Sequence, residues 1–118
     1  MTKDQKRAFT RIFFDAETIV SQGNNDCIVQ LVDISLRGIL IEMLPEQKLA
    51  GNTPVEVCIH LGGDLQICMT ASIANTRDNR VGLACDFIDV ESMTHLRRLV
   101  ELNTGDTALL ERELHLLT

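Results

Sequence analysis

The sequence contains no tryptophan and no tyrosine, and its aromatic residues are four phenylalanines. Proteins that bind single-stranded nucleic acid stack successive bases on aromatic side chains, and this chain offers few of them. A net charge of −6 also argues against extended duplex DNA or RNA, because affinity for phosphate depends on many basic contacts. The composition therefore predicts that neither DNA nor RNA is a partner.

Long apolar runs are also missing, since none approaches the roughly 20 residues of a membrane-spanning helix. The first residues, MTKDQKRAFTR, lack the apolar segment of a secretory signal. We therefore expect a cytoplasmic protein without membrane insertion. A length of 118 residues predicts one domain with a core of its own, and we expect a monomer.

The chain has no C-x-x-C pair, and its three histidines share no ligand spacing with the cysteines, so no zinc site and no other cofactor is predicted. All four cysteines lie in strand-like segments, and we expect them to be reduced, buried and hydrophobic in role: Cys27, Cys58, Cys68 and Cys85. The sequence shows no Ser/His/Asp set and no carboxylate pair at catalytic spacing, so we do not expect an enzyme. Catalytic groups far apart in the sequence can still meet in the folded protein, and the sequence leaves that alternative open.

Charge is distributed unevenly along the chain. Residues 1–11 carry a net charge of +3, which leaves −9 for the other 107 residues. A basic segment on an acidic body indicates that the segment meets something anionic. A small anionic ligand fits this asymmetry better than a polymer does. We predict that residues 1–10 form a flexible basic arm and that residues 11–118 form a single domain.

Hydrophobic periodicity predicts six strands between about residues 11 and 89. The predicted segments are 11–20, 26–35, 38–43, 55–61, 65–76 and 81–88, separated mostly by short turns. The segment 26–35 is apolar at odd and even positions and is expected to be buried on both faces. In the last segment, Val81, Leu83, Cys85 and Phe87 are expected to share one face. Such strands predict a mainly β protein, an antiparallel barrel without exposed edges.

The periodicity changes after Asp89 to spacings of three and four residues, which is typical of an amphipathic helix. Its apolar positions are Met93, Leu96, Leu99 and Val100. Asp89 or Ser92 is expected to cap this helix. The run DTALLERELHLLT predicts a second helix, so helices should cover about residues 90–117. We expect both to pack on the barrel, with a surface for a partner protein as the alternative.

Two short motifs carry the candidate chemistry. Arg7 and Arg11 form an R-x-x-x-R spacing in the basic arm, and Asp33-Ile34-Ser35-Leu36-Arg37-Gly38 forms a D-x-S-x-x-G spacing between two apolar runs. Alone, the arginines are typical of a solvated tail, and the second motif is typical of a polar turn. Their combination, at the entry to a β-rich domain of this size, is much more specific.

The combination resembles the PilZ domain family, whose bacterial members bind the second messenger cyclic di-GMP. The resemblance covers essentially the whole chain and implies a six-stranded antiparallel PilZ-like β-barrel with C-terminal α-helices. The C-terminal run is similar to the helical tail of the single-domain PilZ proteins first studied in pseudomonads. The ligand, the effector protein and the role in second-messenger signalling are all implied by the resemblance.

The resemblance also implies a role for each motif residue. Arg7 and Arg11 would bind phosphates or stack on guanines, which guanidinium groups suit. Asp33 would accept the N–H donors of a guanine edge, Ser35 would donate or accept, and Gly38 would let the backbone approach the ligand. Turn chemistry favours a solvated turn residue for Arg37, with a further contact to the ligand as the alternative.

Three further positions bear on stoichiometry and affinity. Relatives with a basic residue at the position of Lys6 tend to bind two stacked copies of the nucleotide, and lysine keeps the charge but not the planar group. Ala8 stands where close relatives often carry an arginine, and Asn75 stands where some carry a tryptophan against a guanine. The alternative is therefore a PilZ-fold protein-interaction module that binds the nucleotide weakly or not at all.

Overall fold

The computed structural model describes residues 12–13 and 16–104. In chain order these residues form β1 (Ile12–Phe13), β2 (Glu17–Gln22), β3 (Asn25–Ser35), β4 (Gly38–Glu42), β5 (Val55–Gly62), β6 (Leu65–Arg77), β7 (Arg80–Ile88) and α1 (Val90–Thr104). The single strand predicted over 11–20 is therefore wrong in its extent. Two strands, β1 and β2, occupy that range and pair with different parts of β3.

Six of these strands close into an antiparallel barrel, as the sequence predicted. The pairing runs β3–β2–β5–β6–β7–β4 and returns to β3, whose second edge pairs with β4. Closure matters because it leaves no long row of unpaired backbone groups at a sheet edge. The short strand β1 continues the edge of β3 beyond β2, with Ile12 opposite Ile34 and Phe13 opposite Asp33.

Alternating side chains fill the barrel. On β5 and β6 alternate apolar residues face the core, because Val55, Val57 and Ile59 are fully buried and meet a buried set on β6 made of Ile67, Met69 and Ala71. Leu65, which the same alternation places with that set, is 51% exposed at the start of β6. This alternation of buried and solvent-facing residues is what a barrel with one core requires.

The expectation that residues 26–35 are buried on both faces is wrong for the first part of β3. Cys27, Val29 and Leu31 are buried, whereas Ile28 is 63% exposed. The apolar residue at position 28 misled the pattern, since a single exposed isoleucine is compatible with an outer barrel face.

A bulge also changes the end of β7. Ala71 lies opposite Cys85 but Thr70 lies opposite Phe87, so Asp86 is an extra residue in the ladder. An extra residue reverses the alternation of side chains beyond it. Phe87 is consequently 66% exposed, and the expectation that it shares a face with Val81 and Leu83 is wrong.

Helix α1 confirms the predicted amphipathic helix. Asp89 caps it, because its Oδ1 accepts a 2.7 Å hydrogen bond from the Ser92 N–H, and Leu96 and Val100 are buried. The Ser92 Oγ accepts from the Cys68 N–H at 3.0 Å and so joins the helix to β6. In the ranges that the structure describes, no helix is long and apolar enough to cross a membrane. The second predicted helix lies outside the described residues.

Cys58 and Cys68 form a disulfide between β5 and β6, which corrects the expectation of four reduced cysteines. The two residues lie directly opposite each other in the ladder, with Cα atoms 4.1 Å apart. The sequence showed no C-x-x-C pair, but hairpin register brings together residues ten positions apart. Cys27 and Cys85 are free thiols.

Candidate ligand-binding groove

A bulge at Val32 decides which way the D-x-S-x-x-G motif faces. Leu31 lies opposite Ile41, but Asp33 lies opposite Leu40, so Val32 is an extra residue of β3 in the β3–β4 ladder. Odd-numbered residues point into the barrel before the bulge and away from it afterwards. Without it, the alternation would direct the Asp33 carboxylate into the apolar core, where an unpaired charge is very costly.

On both sides of the bulge, the outer faces of β3, β4, β7 and β6 carry three parallel rows of side chains, set by strand pairing. The Asp33 row consists of Asp33, Leu40, Gly82 and Asn75. The Ser35 row consists of Ser35, Gly38, Ala84 and Ser72. The Arg80 row consists of Gln30, Glu42, Arg80 and Arg77. Neighbouring rows are about 7 Å apart, since two strand residues separate them.

An open groove lies across these rows and encloses about 880 Å³. Volumes of about 300–1,000 Å³ are typical of small-molecule sites. Three of the six predicted site residues line it: Asp33, Ser35 and Gly38. Asp33 is only 3% exposed, so its carboxylate belongs to the floor of the groove and does not project from a wall.

Ser35 holds the β3–β4 turn together. Its Oγ accepts a hydrogen bond from the Arg37 N–H at 3.2 Å and lies 3.4 Å from the Gly38 carbonyl oxygen, to which it donates. The turn also continues the sheet, because the Cys85 N–H donates to the Arg37 carbonyl at 2.7 Å. Arg37 itself is exposed and lines the groove. The polar turn chemistry and the candidate site therefore occupy the same residues.

Position 38 requires glycine for a structural reason that the sequence did not reveal. It lies opposite Ala84, and a Cβ at this position would overlap the Leu83 carbonyl oxygen. β4 and β7 can therefore approach closely enough to close the barrel only when residue 38 has no side chain. The expected role in exposing backbone to a ligand stays a prediction.

Gly82 leaves room on the groove floor for the side chain of Asn75. The Asn75 side chain lies over it, since a Cβ at Gly82 would meet the Asn75 Oδ1 at 3.0 Å and the Nδ2 at 3.1 Å. Gly38 and Ala84 lie beside it and keep the adjoining floor low enough for a flat ring to approach. The position at which some relatives carry tryptophan thus lies in the groove.

Two charged groove residues were not predicted from the sequence. Arg77 and Arg80 flank the turn Asp78-Asn79, lie directly opposite each other and line the groove. The segment RDNR predicted only a turn. The spacing of the two arginines in this segment does indicate that they lie together, because residues on either side of a two-residue turn pair across the hairpin. Arg80 also makes an ion pair with Glu42, with 3.6 Å between Nε and Oε1.

The other three predicted site residues, Lys6, Arg7 and Arg11, lie outside the described residues. Arg11 is bonded covalently to Ile12, and Ile12 lies opposite Ile34 between the two polar motif residues Asp33 and Ser35. The basic segment is therefore attached to the barrel at the edge of β3 that borders the groove.

The groove residues that the structure describes offer recognition chemistry and no catalytic set. They supply a carboxylate, a hydroxyl, amides and guanidinium groups. Behind the floor, burial raises the pKa of the Cys85 thiol, and the Asp86 carboxylate raises it further, so this thiol is protonated at neutral pH. Among the described residues, no group of three or more His, Cys, Asp or Glu side chains could hold a metal ion.

Comparison with known proteins gives a consistent result. The family model of the PilZ domain matches residues 5–102, which include Lys6, Arg7 and Arg11, the barrel and most of α1. The PilZ domain of CeSA from a cellulose-synthesizing bacterium superposes with a TM-score of 0.61 at 21% identity, covering 81% of this chain and 96% of that domain.

Two longer proteins contain the same fold. The inhibitor of motility MotI/DgrA of Bacillus subtilis has a TM-score of 0.70 at 16% identity, over 86% of this chain and 54% of its own length. PlzA of Borreliella burgdorferi, whose structure is a complex with c-di-GMP, has a TM-score of 0.58 at 13% identity, over 80% of this chain and 40% of its own. The chain thus spans about half the length of each of these two proteins.

Proposed function

The chain belongs to the PilZ domain family, and from that membership we propose that it is a non-enzymatic receptor for cyclic di-GMP that regulates a partner protein. The family resemblance in the motif residues supports the ligand, and the complex of PlzA with c-di-GMP supports it from a structural neighbour. The acidic body and basic N-terminal segment support a small anionic ligand in preference to a polymer.

One observation carries the proposal. The Val32 bulge turns Asp33 and Ser35 onto the outer face of the barrel, beside the point where the basic segment joins β1. A receptor for a guanine nucleotide needs an acceptor for the guanine N–H donors and cations for the phosphates. The groove contains the acceptor, and the adjoining segment carries Arg7 and Arg11.

We propose a distinct contact with the nucleotide for each predicted site residue. Asp33 accepts from the guanine edge, Ser35 contributes its hydroxyl, and Gly38 keeps the backbone open. Arg7 and Arg11 bind phosphate or stack on guanine, and Lys6 favours a second, stacked nucleotide through its charge. One or two nucleotides per chain are both compatible with these residues.

Regulation would follow from ordering the basic segment over the ligand. Charge contacts with the phosphates offset the conformational entropy that ordering costs. A partner protein responds only if it binds the ligated and unligated surfaces with different affinity. We propose that the partner distinguishes the groove with the basic segment held across it from the groove without ligand.

A second candidate function is a protein-interaction module that binds the nucleotide weakly or not at all. Asn75 favours it, because the groove floor lacks the aromatic stack that some relatives place there, and Ala8 removes another cation. Losing one aromatic stack weakens binding by roughly 1–3 kcal/mol. Capture of a partner that nucleotide does not affect would support this function.

Isothermal titration calorimetry with cyclic di-GMP tests the proposal, and parallel titrations with GMP and cyclic di-AMP measure selectivity. We expect selective binding of cyclic di-GMP that Arg11→Ala abolishes, and the same titration returns the stoichiometry. Absence of selective binding, or binding that Arg11→Ala leaves unchanged, would contradict the receptor function.

A further inference from the structure

The tip of the β6–β7 hairpin places two guanidinium groups on the groove wall that faces away from the D-x-S-x-x-G turn. Arg77 lies directly opposite Arg80 in the ladder, and both line the groove. Like charges directly opposite each other on one sheet face destabilise the pairing. Such an arrangement becomes favourable when an anion lies between the two side chains.

Only one of the two arginines, Arg80, forms an ion pair with a neighbouring acidic residue among the described residues. Arg80 shares its charge with Glu42, the next member of the Arg80 row, but both side chains stay about half exposed. Arg77 makes no ion pair or side-chain hydrogen bond among the described residues of the chain. A guanidinium without a counter-charge, next to an ion pair at the rim of a groove, is an available anion-binding group.

The rows locate where that anion would lie. On β4 and β7 the Arg80 row is about 7 Å from the Asp33 row, since two strand residues separate them. A ligand lying along the Asp33 row therefore has the Ser35 row on one side and Arg77 and Arg80 on the other. The ring of a cyclic dinucleotide carries two phosphates, so one can face the basic segment and the other the hairpin.

We infer that Arg77 and Arg80 bind a phosphate of the cyclic dinucleotide, as an additional anion-binding pair outside the two sequence motifs. The inference rests on the proposed receptor function and deepens it. It also accounts for a site that persists without an aromatic residue at position 75, because two charged hydrogen-bond donors replace part of the lost stacking. Glu42 then competes with the ligand for Arg80.

The test is calorimetric titration of Arg77→Gln, of the double variant Arg77→Gln/Arg80→Gln, and of a matched control. The control is Arg97→Gln/Arg98→Gln, which removes the same charge from two exposed positions of α1 away from the groove. We expect about tenfold weaker binding for Arg77→Gln, a larger loss for the double variant, and little change for the control.

Two further variants identify the phosphate as the partner. Arg77→Lys should recover most of the affinity, since lysine binds phosphate as a point charge but cannot stack on a base or form a bidentate fork. Glu42→Gln should strengthen binding about two- to fivefold, because it releases Arg80 from a half-exposed ion pair. Thermal melting of each variant shows that the barrel is folded.

The outcomes distinguish failure of the Arg77 and Arg80 inference from failure of the proposed receptor function. If the unmodified protein does not bind cyclic di-GMP, the proposed function and this inference are both wrong. If it binds but the hairpin variants behave like the α1 control, the inference is wrong and the receptor function stands. If Arg77→Lys is as weak as Arg77→Gln, the assignment to a phosphate is overturned.

Discussion

Asp33 of β3 lies directly opposite Leu40 of β4, immediately past the bulge at Val32. This pairing places an acidic side chain on the outer face of a strand whose earlier residues Cys27, Val29 and Leu31 are in the core. It also aligns the carboxylate with Gly82 and Asn75 across three further strands.

Asp33→Ala should abolish recognition of guanine. Charged hydrogen bonds to a buried or half-buried partner are worth about 1.5–3 kcal/mol, so we expect at least tenfold weaker binding of cyclic di-GMP. Calorimetric titration measures the loss, and circular dichroism checks that the variant is folded. Asp33→Asn is the matched variant, because its shape is conserved while one acceptor oxygen becomes a donor. Unchanged affinity in both variants would exclude the carboxylate from the site.

Asn75→Trp should strengthen binding of cyclic di-GMP. The Asn75 side chain lies over Gly82 in the groove, and an indole there can stack on a guanine. Base stacking contributes about 1–3 kcal/mol, which corresponds to a gain of at least fivefold in affinity. Asn75→Leu is the control, since it adds apolar area without a stacking surface. Equal affinities for tryptophan and leucine would show that position 75 does not stack.

Gly38→Ala should destabilise the barrel because its Cβ would overlap the Leu83 carbonyl oxygen across the β4–β7 pair. Forcing backbone apart to accommodate one methyl group costs about 1–3 kcal/mol. Urea denaturation followed by circular dichroism measures the free energy of unfolding. Gly51→Ala is the control, since a Cβ at Gly51 meets no atom within 4 Å. Similar stability of the two variants would contradict the close approach.

Removing the disulfide by Cys58→Ser/Cys68→Ser should lower the free energy of unfolding by about 2–3 kcal/mol, the chain-entropy value for a loop of this length. Thiol titration in denaturant is an independent check. Unreduced protein should expose two reactive thiols, from Cys27 and Cys85, and reduced protein four. A reductant should destabilise the parent chain and leave the double variant unchanged. Four thiols without reduction would show that the bond is absent.

Asp89 should make the stability of α1 depend on pH in the acid range. The Ser92 N–H and hydroxyl hold the pKa of the Asp89 carboxyl below its ordinary value of 3.8. Because the folded-state pKa is lower than the unfolded one, this stabilisation is complete above about pH 4. It is lost as the pH falls toward the folded-state pKa.

Thermal melts of Asp89→Asn and Asp89→Ala between pH 7 and pH 3 test this capping role. Asparagine caps helices about as well as aspartate, so Asp89→Asn should melt near the parent value at pH 7 and lose less on acidification. Asp89→Ala should melt at a lower temperature throughout. An identical acid response in the parent chain and in Asp89→Asn would assign the pH dependence to other groups.

Much of the fold could be predicted from hydrophobic alternation. The inward positions of β5 and β6 follow directly from the pattern, and the change to a helical period after Asp89 marks α1. The failures occur at bulges and register. Phe87 was misplaced because one extra residue reverses the faces of a strand without leaving a mark in composition, and the first part of β3 was misplaced because Ile28 is apolar but exposed.

The amino-acid sequence by itself determined the β-rich class, the position of α1 and the identity of the polar turn, since these depend on local periodicity and turn chemistry. Only the tertiary structure decided which groups meet. Strand register brought Arg77 and Arg80 to the groove, joined Cys58 to Cys68 and placed Gly38 against the Leu83 carbonyl. Register depends on contacts between strands far apart in the chain, and closing a barrel satisfies all of them at once.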